Sequence, residues 1–164
     1  MSADQPPGQS PHSAQVVIEE LIREWQLQPH PEGGWYREVH RSHTMVKRDD
    51  GSERAAITTI LYLLDGTQCS RWHRVRHADE VWTHLQGACL SLWSLQNGEA
   101  RQQVLSLQNP VAVIPADVWQ AAKAEGPYSL VSCNVGPGFA FDDFELLRDL
   151  PKEQWPEGVL AELS

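Results

Sequence analysis

Hydrophobic positions along the chain follow two periods. From residue 14 they recur at helical spacing: Ala14, Val17, Ile18, Leu21, Ile22 and Trp25 fall at i, i+3, i+4, i+7, i+8 and i+11. That spacing predicts one helix with a single apolar stripe and Ser13 as its N-cap. Such a stripe needs a sheet to cover it. After Pro31 the period becomes that of strands. Residues 35–39 read as a strand, and 55–64 (AAITTILYLL) is β-branched and nearly continuous, as a buried strand should be. Further short strands are predicted at 70–73, 80–85, 89–95, 101–107, 111–114, 119–123 and 128–135. Asp50-Gly51 and Asp65-Gly66 are turn signals, and Asn97-Gly98 marks a two-residue hairpin. Gly87, Pro115-Ala116-Asp117, Gly126-Pro127 and Gly136-Pro137-Gly138 break the remaining runs. About nine short strands punctuated this way predict an antiparallel sandwich or barrel.

The two ends differ from this texture. Residues 1–12 (MSADQPPGQSPH) carry too little apolar surface to order themselves and are expected to form a disordered tail. Residues 13–150 form one domain, a size that a single core serves. Residues 151–164 (PKEQWPEGVLAELS) are assigned to a C-terminal tail.

Charge and cysteine content narrow the function classes. Thirteen Lys and Arg against 22 Asp and Glu give a net charge of -9, which repels phosphate backbones and argues against nucleic-acid binding. No apolar run approaches the roughly 18 residues that a membrane span needs, and no signal peptide is apparent. Cys69, Cys89 and Cys133 cannot all pair within one chain and form no C-x-x-C pattern. They are read as free buried thiols in a reducing cytoplasm.

One stretch concentrates the chemistry: Gly66, His73, Val75, His77, Asp79, Glu80, Trp82, His84 and Gly87 fall within 22 residues. It resembles the first cupin motif, G-x5-H-x-H-x3–4-E-x6-G. His73 and Glu80 take the first His and the Glu positions, and Gly87 follows at the expected distance. Gly66 stands one residue too far upstream, and Val75 replaces the second His. The second cupin motif is matched more loosely. Pro115 is kept, Asp117 stands in for the turn glycine, Gln120 replaces the His, and Ala124 occupies the Asn position. The resemblance sharpens in four blocks. These are Leu27-Gln28-Pro29-His30-Pro31-Glu32-Gly33-Gly34-Trp35-Tyr36-Arg37-Glu38, then His73-Arg74 with Asp79-Glu80-Val81-Trp82, then Pro115 with Trp119-Gln120-Ala121-Ala122, and the closing stretch from Ser129 to Leu146. Together they resemble cupin family 5, also called domain of unknown function 985.

The resemblance implies an all-β fold, the double-stranded β-helix or cupin jelly roll, with the N-terminal helix packed outside. It also implies a homodimer. In cupins the motif residues point into the barrel and hold a divalent metal with three His and one Glu. Here His73 and Glu80 remain, with the Gln120 amide as a weak third donor. No tightly bound cofactor is therefore expected, although His73, Glu80 and Gln120 would hold a divalent metal weakly. The pair itself admits three readings: a metal pair, an acid–base pair, or a satisfied buried hydrogen bond. His84 lies about 13 Å from Glu80 along one strand and does not complete a metal shell.

Glu80, Trp82 and His84 alternate and share one strand face. An inward Glu80 brings Trp82 and His84 inward as well, and Trp82 would then stack on a sugar or other flat ligand. The other tryptophans near strands are assigned to core filling. Arg37 and Glu38 lie on opposite faces of their strand. An inward Arg37 would hold an anionic ligand group, whereas an outward one would form an ion pair at a dimer interface. Pro29, Pro31, Gly33 and Gly34 shape a turn with unusual backbone angles. His30 and Glu32 are assigned to fixing that turn.

The leading expectation is a small-molecule isomerase or epimerase acting on a sugar or other small polar metabolite. His73 is its base and Glu80 its orienting carboxylate, with Gln120 and Arg37 holding the substrate. The alternatives are a non-catalytic small-ligand binding protein and a metal-dependent dioxygenase. The last ranks lowest, because Val75 and Gln120 remove the imidazoles it needs.

Overall fold

The computed structural model describes residues 11–164. Residues 1–10, where most of the expected tail falls, lie outside the described residues. Helix α1 (Pro11–Glu24) begins two residues before the predicted Ser13 cap. Its Ala14, Ile18 and Leu21 are buried, while Trp25, at the end of the stripe, is 39% exposed.

Two antiparallel sheets face each other. The larger has the order β1 (Gln28–Pro29), β2 (Trp35–Arg41), β5 (Thr58–Asp65), β12 (Tyr128–Gly136), β7 (Asp79–Gly87) and β10 (Val111–Ile114). The smaller has the order β13 (Phe144–Leu146), β6 (Cys69–Val75), β11 (Gln120–Ala124), β8 (Leu90–Gln96) and β9 (Glu99–Leu105). A separate hairpin joins β3 (Met45–Lys47) to β4 (Glu53–Ala55). The chain is thus an all-antiparallel double-stranded β-helix with its helix outside.

Apolar residues occupy both faces of several strands because both sheets are covered outside as well as inside. Tyr62, Leu64, Trp82, Leu90, Leu92, Leu105, Ile114 and Val131 fill the space between the sheets. Ile18 and Leu21 of α1 pack on Leu63, Tyr128 and Leu130, on the outer face of the larger sheet. This two-sided burial explains why the run at 55–64 lacks alternation. The expected single strand there is split: Ala55 closes β4, and β5 starts at Thr58.

The C-terminal segment does for the smaller sheet what α1 does for the larger. Leu163, with Trp155, Val159 and Leu160, packs on Trp72, Trp119 and Ala121. The Trp72 indole donates to the Leu160 carbonyl at 3.0 Å. The C-terminal segment 151–164 thus packs on the smaller sheet, with two short 3-10 turns at Lys152–Gln154 and Ala161–Leu163.

Turns follow the residue types that mark them. Asn97 and Gly98 both adopt positive φ, 52° and 77°, and join β8 to β9 as a two-residue hairpin. Asp117, at the turn-glycine position, adopts φ 68°. All three cysteines are free, but only Cys133 is buried; Cys69 is half-buried and Cys89 exposed. Among the described residues no helix is long and apolar enough to cross a membrane.

The β3–β4 hairpin has no strand signal in the sequence beyond its Asp50-Gly51 turn. Its strands are three residues each, and no apolar alternation marks them. Asp143, distant in sequence, fastens the segment. Its two carboxylate oxygens accept from Arg48 at 3.0 and 3.1 Å and from Arg54 at 2.8 and 3.2 Å. Burial alone would raise the Asp143 carboxyl, but these guanidinium bonds outweigh it and hold the group below the ordinary carboxylate value.

Candidate functional site

A cavity of about 330 Å³ opens at one end of the barrel. Glu32, His73, Glu80 and Cys133 supply its polar side, and Tyr36, Phe139, Phe141 and Phe144 its aromatic side.

A β-bulge sets the polar side. Gln120 of β11 pairs with His73, but Ala122 pairs with Ser70, so three steps along β6 match two along β11. The extra residue turns Ser70 and His73 to the same face, where both meet Glu32. The Ser70 hydroxyl donates to Glu32 Oε1 at 3.0 Å, and His73 Nε2 lies 3.2 Å from Glu32 Oε2. Glu32 arrives on the tight loop 30–34. The Gly33 amide donates to the His30 carbonyl and the His30 amide to the Gly34 carbonyl, each at 3.0 Å. The Arg71 amide docks the loop on β6 through the Glu32 carbonyl at 2.8 Å. Gly33 has φ +113°, and a Cβ there would meet the Cys69 carbonyl oxygen at 2.2 Å, so only glycine lets the loop approach this closely.

Hydrogen bonding fixes where protons sit. His73 Nδ1 lies 2.7 Å from the Arg71 carbonyl, which only accepts, so Nδ1 carries a proton. In the neutral ring Nε2 is then a lone pair facing Glu32 Oε2. One proton must lie between those atoms, because a lone pair and a carboxylate would repel. Burial drives the pair toward its uncharged form: it raises Glu32 above the usual carboxyl range and lowers His73 below the usual imidazole range. Burial also lowers His30, whose Nδ1 accepts the Glu32 amide at 3.2 Å. Glu80 is pushed up to about 7, chiefly by burial, with the neighbouring Glu32 adding to the rise and His73 opposing it. Two buried carboxyls thus flank one imidazole, and the cluster holds both an acid and a base near neutral pH.

His73 and Glu80 line the cavity, and Gln120 stands behind Glu80. The Gln120 amide donates to Glu80 Oε2 at 2.6 Å, and its oxygen accepts the Trp82 indole N–H at 2.9 Å. Gln120 is therefore placed to hold Glu80 rather than a ligand.

Three expected positions require correction. Trp82 is fully buried, edge-on to Tyr62 at 5.9 Å, and does not line the cavity. Its ring is core and offers no stacking face. His84 shares that strand face but lies beyond the cavity, with Nε2 2.8 Å from the Ala88 carbonyl and Nδ1 without a hydrogen-bond partner. Arg37 is exposed and donates to the Trp25 carbonyl at 3.2 Å. The reason is strand parity: Tyr36 and Glu38 face the cavity, so Arg37 faces away.

Sequence reasoning missed several residues. Glu32 and His30, read as turn-fixing, line the cavity. So does Arg41, because a bulge between Glu38 and His40 brings residues three apart onto one face. The PHPEGG block was visible, but nothing local reveals that its carboxylate is carried into a barrel 38 residues away from Ser70.

The donor set does not fit the three-His, one-Glu metal centre of the superfamily. Val75 offers no ligand atom, and the Gln120 oxygen is taken by Trp82. Among the described residues, no three His, Cys, Asp or Glu side chains are placed to share an ion.

An antiparallel double-stranded β-helix with an inward His–Glu cluster defines a cupin barrel. Residues 19–147 match the family described as Cupin superfamily (DUF985), and the chain belongs to it. A hypothetical protein from Leishmania major is similar at 31% identity and TM-score 0.72, over 77% of this chain and 85% of that one. A protein from Shewanella oneidensis is similar at 32% identity and TM-score 0.71, over 78% of this chain and 82% of that one. KdgF from Halomonas sp. shares the fold alone, at 17% identity and TM-score 0.53, over 70% and 88% of the two chains. Among curated proteins, none matches.

Proposed function

We propose that the cavity binds a small polar carbonyl metabolite of the sugar type and moves a proton on it, as an isomerase or epimerase does. The observation that carries this reading is the buried His73–Glu32 contact of 3.2 Å, with one proton between the two groups and Glu80 alongside. An isomerisation needs an acid and a base that exchange roles and leave no net proton behind. Here the Glu32 carboxylic acid gives its proton to the substrate carbonyl oxygen. His73 Nε2 takes the proton from the adjacent carbon, forming an enediol. Reversal at the neighbouring carbon returns both groups to their starting states. The Arg71 carbonyl, accepting from Nδ1–H, stabilises the imidazolium that forms. Glu32 thus takes the acid's part, and Glu80, anchored by Gln120, is a second carboxyl within the same cluster.

The test is proton exchange in deuterated water, followed by NMR over a panel of aldoses, ketoses and sugar acids. Loss of a C–H signal next to a carbonyl, abolished in His73→Asn and Glu32→Gln, supports the proposal. Binding without exchange across the panel would replace it with the non-catalytic binding reading.

A further inference from the structure

The charge inventory of the cavity constrains what enters it. Arg41 is the only Lys or Arg among its lining residues, and it is ion-paired with Glu38. Nε and Nη2 each donate to Glu38 at 2.8 Å, and Nη2 also donates to the Phe139 carbonyl at 3.1 Å. Glu38 cancels its charge. His30 and His73 are buried imidazoles held neutral. An anionic group would have to compete with Glu38 for the one guanidinium here and would lie near two buried carboxyls, Glu32 and Glu80. A cation meets the reverse situation, since its charge offsets the desolvation that penalises an ionised carboxylate.

The aromatic lining of the cavity points the same way, with Phe144 5.6 Å from both His30 and His73. Phe139, Phe141 and Phe144 are mutually inclined at 83°, 63° and 84°, so their ring faces point in several directions. Tyr36 adds a fourth ring. Phe141 is 53% exposed at the cavity, unusual for so large an apolar group. The segment is pre-positioned, because Asp143 ties it to Arg48 and Arg54. Aromatic rings and a carboxylate lining one cavity are what a small organic cation needs: ring quadrupoles for its skeleton and charge, and carboxylate oxygens for its N–H groups.

We propose that the cavity selects a small organic cation, an amine-bearing metabolite such as an amino sugar, with its ammonium on Glu80 and its skeleton against Phe139, Phe141, Phe144 and Tyr36. This rests on the proposed binding role of the same cavity and names its ligand class. It leaves Glu32 and His73 to move the proton.

Three probes of one ring size separate charge from shape: cyclohexylamine, cyclohexanol and cyclohexanecarboxylate, titrated near neutral pH by calorimetry. The amine binds about tenfold or more tighter than the alcohol, and the carboxylate binds most weakly. Glu80→Gln brings the amine to within a few-fold of the alcohol. Phe141→Ala, at a half-exposed site where folding is not at stake, weakens the amine more than the alcohol. Glu38→Gln frees Arg41 and raises binding of the carboxylate. Equal binding of amine and alcohol, a preference for the carboxylate in the wild type, or no binding of any probe overturns the proposal. Deuterium exchange on a neutral sugar without amine preference would sink this inference alone. Amine selectivity without any exchange would sink only the chemistry.

Discussion

Replacing Glu80 by Gln gives the sharpest test of the site's electrostatics. The substitution keeps the shape of the side chain and an acceptor for the Gln120 amide, but removes the ionisable group. Glu80 rises from an ordinary 4.5 to about 7 in the folded protein, and burial is the largest cause. Each factor of ten in the acid constant is worth about 1.4 kcal/mol, so the full effect is about 3 kcal/mol. Its sign follows from which state holds the proton. Between these two values the folded chain keeps the Glu80 proton while the unfolded chain has lost it. Stability from this group is complete below 4.5 and disappears as pH rises through about 7. His30 and His73 are lowered by burial and act in the opposite direction, gaining stability as pH rises through the ordinary imidazole range. The raw wild-type profile therefore partly cancels, and the informative quantity is the difference between wild type and Glu80→Gln. Urea unfolding from about pH 4 to about pH 8.5 should show wild type losing about 3 kcal/mol relative to the variant, mostly between pH 5 and pH 7.5. A difference that stays flat within about 0.5 kcal/mol would mean that Glu80 holds its proton no more tightly in the folded chain than in the unfolded one. The two-carboxyl account of the cluster would then be wrong.

Gln120→Leu strips a partner from both the Trp82 indole and Glu80, each buried, and should cost about 3 kcal/mol in urea unfolding near neutral pH; a loss below about 1 kcal/mol would contradict the bridging role. Asp143→Ala leaves Arg54 without its carboxylate and Arg48 with Asp50 alone, so thermal unfolding should register a loss of about 3 kcal/mol, whereas an unchanged midpoint would show that the clasp contributes nothing. Extensively dialysed protein should contain well under one transition metal per chain by elemental analysis, and Val75→His should raise that content; a stoichiometric metal lost in His73→Ala would restore the dioxygenase reading.

Local chemistry alone dictated much of this protein. Helical spacing from Ala14 to Leu21 fixed α1, Asn97-Gly98 fixed a hairpin whose positive φ angles other residue pairs resist, and strand punctuation fixed the all-β class. The motif marked His73 and Glu80 as inward residues, and the fold sets them on β6 and β7, successive in the chain but in opposite sheets. What the sequence could not determine depends on contacts made across the barrel. Bulges in β2 and β6 each insert one residue, which reverses side-chain parity beyond them; that is how Arg41 joins Glu38 and how Ser70 joins His73. Arg37 and Trp82 depart from the sequence expectation for a related reason: parity names a face, but only packing decides whether that face meets a cavity, a neighbouring ring or solvent. Glu32 shows the limit most clearly. Its backbone turn was legible from two glycines, yet its chemical character comes from burial beside His73 and Ser70, and burial is a property of the assembled barrel rather than of any stretch of chain.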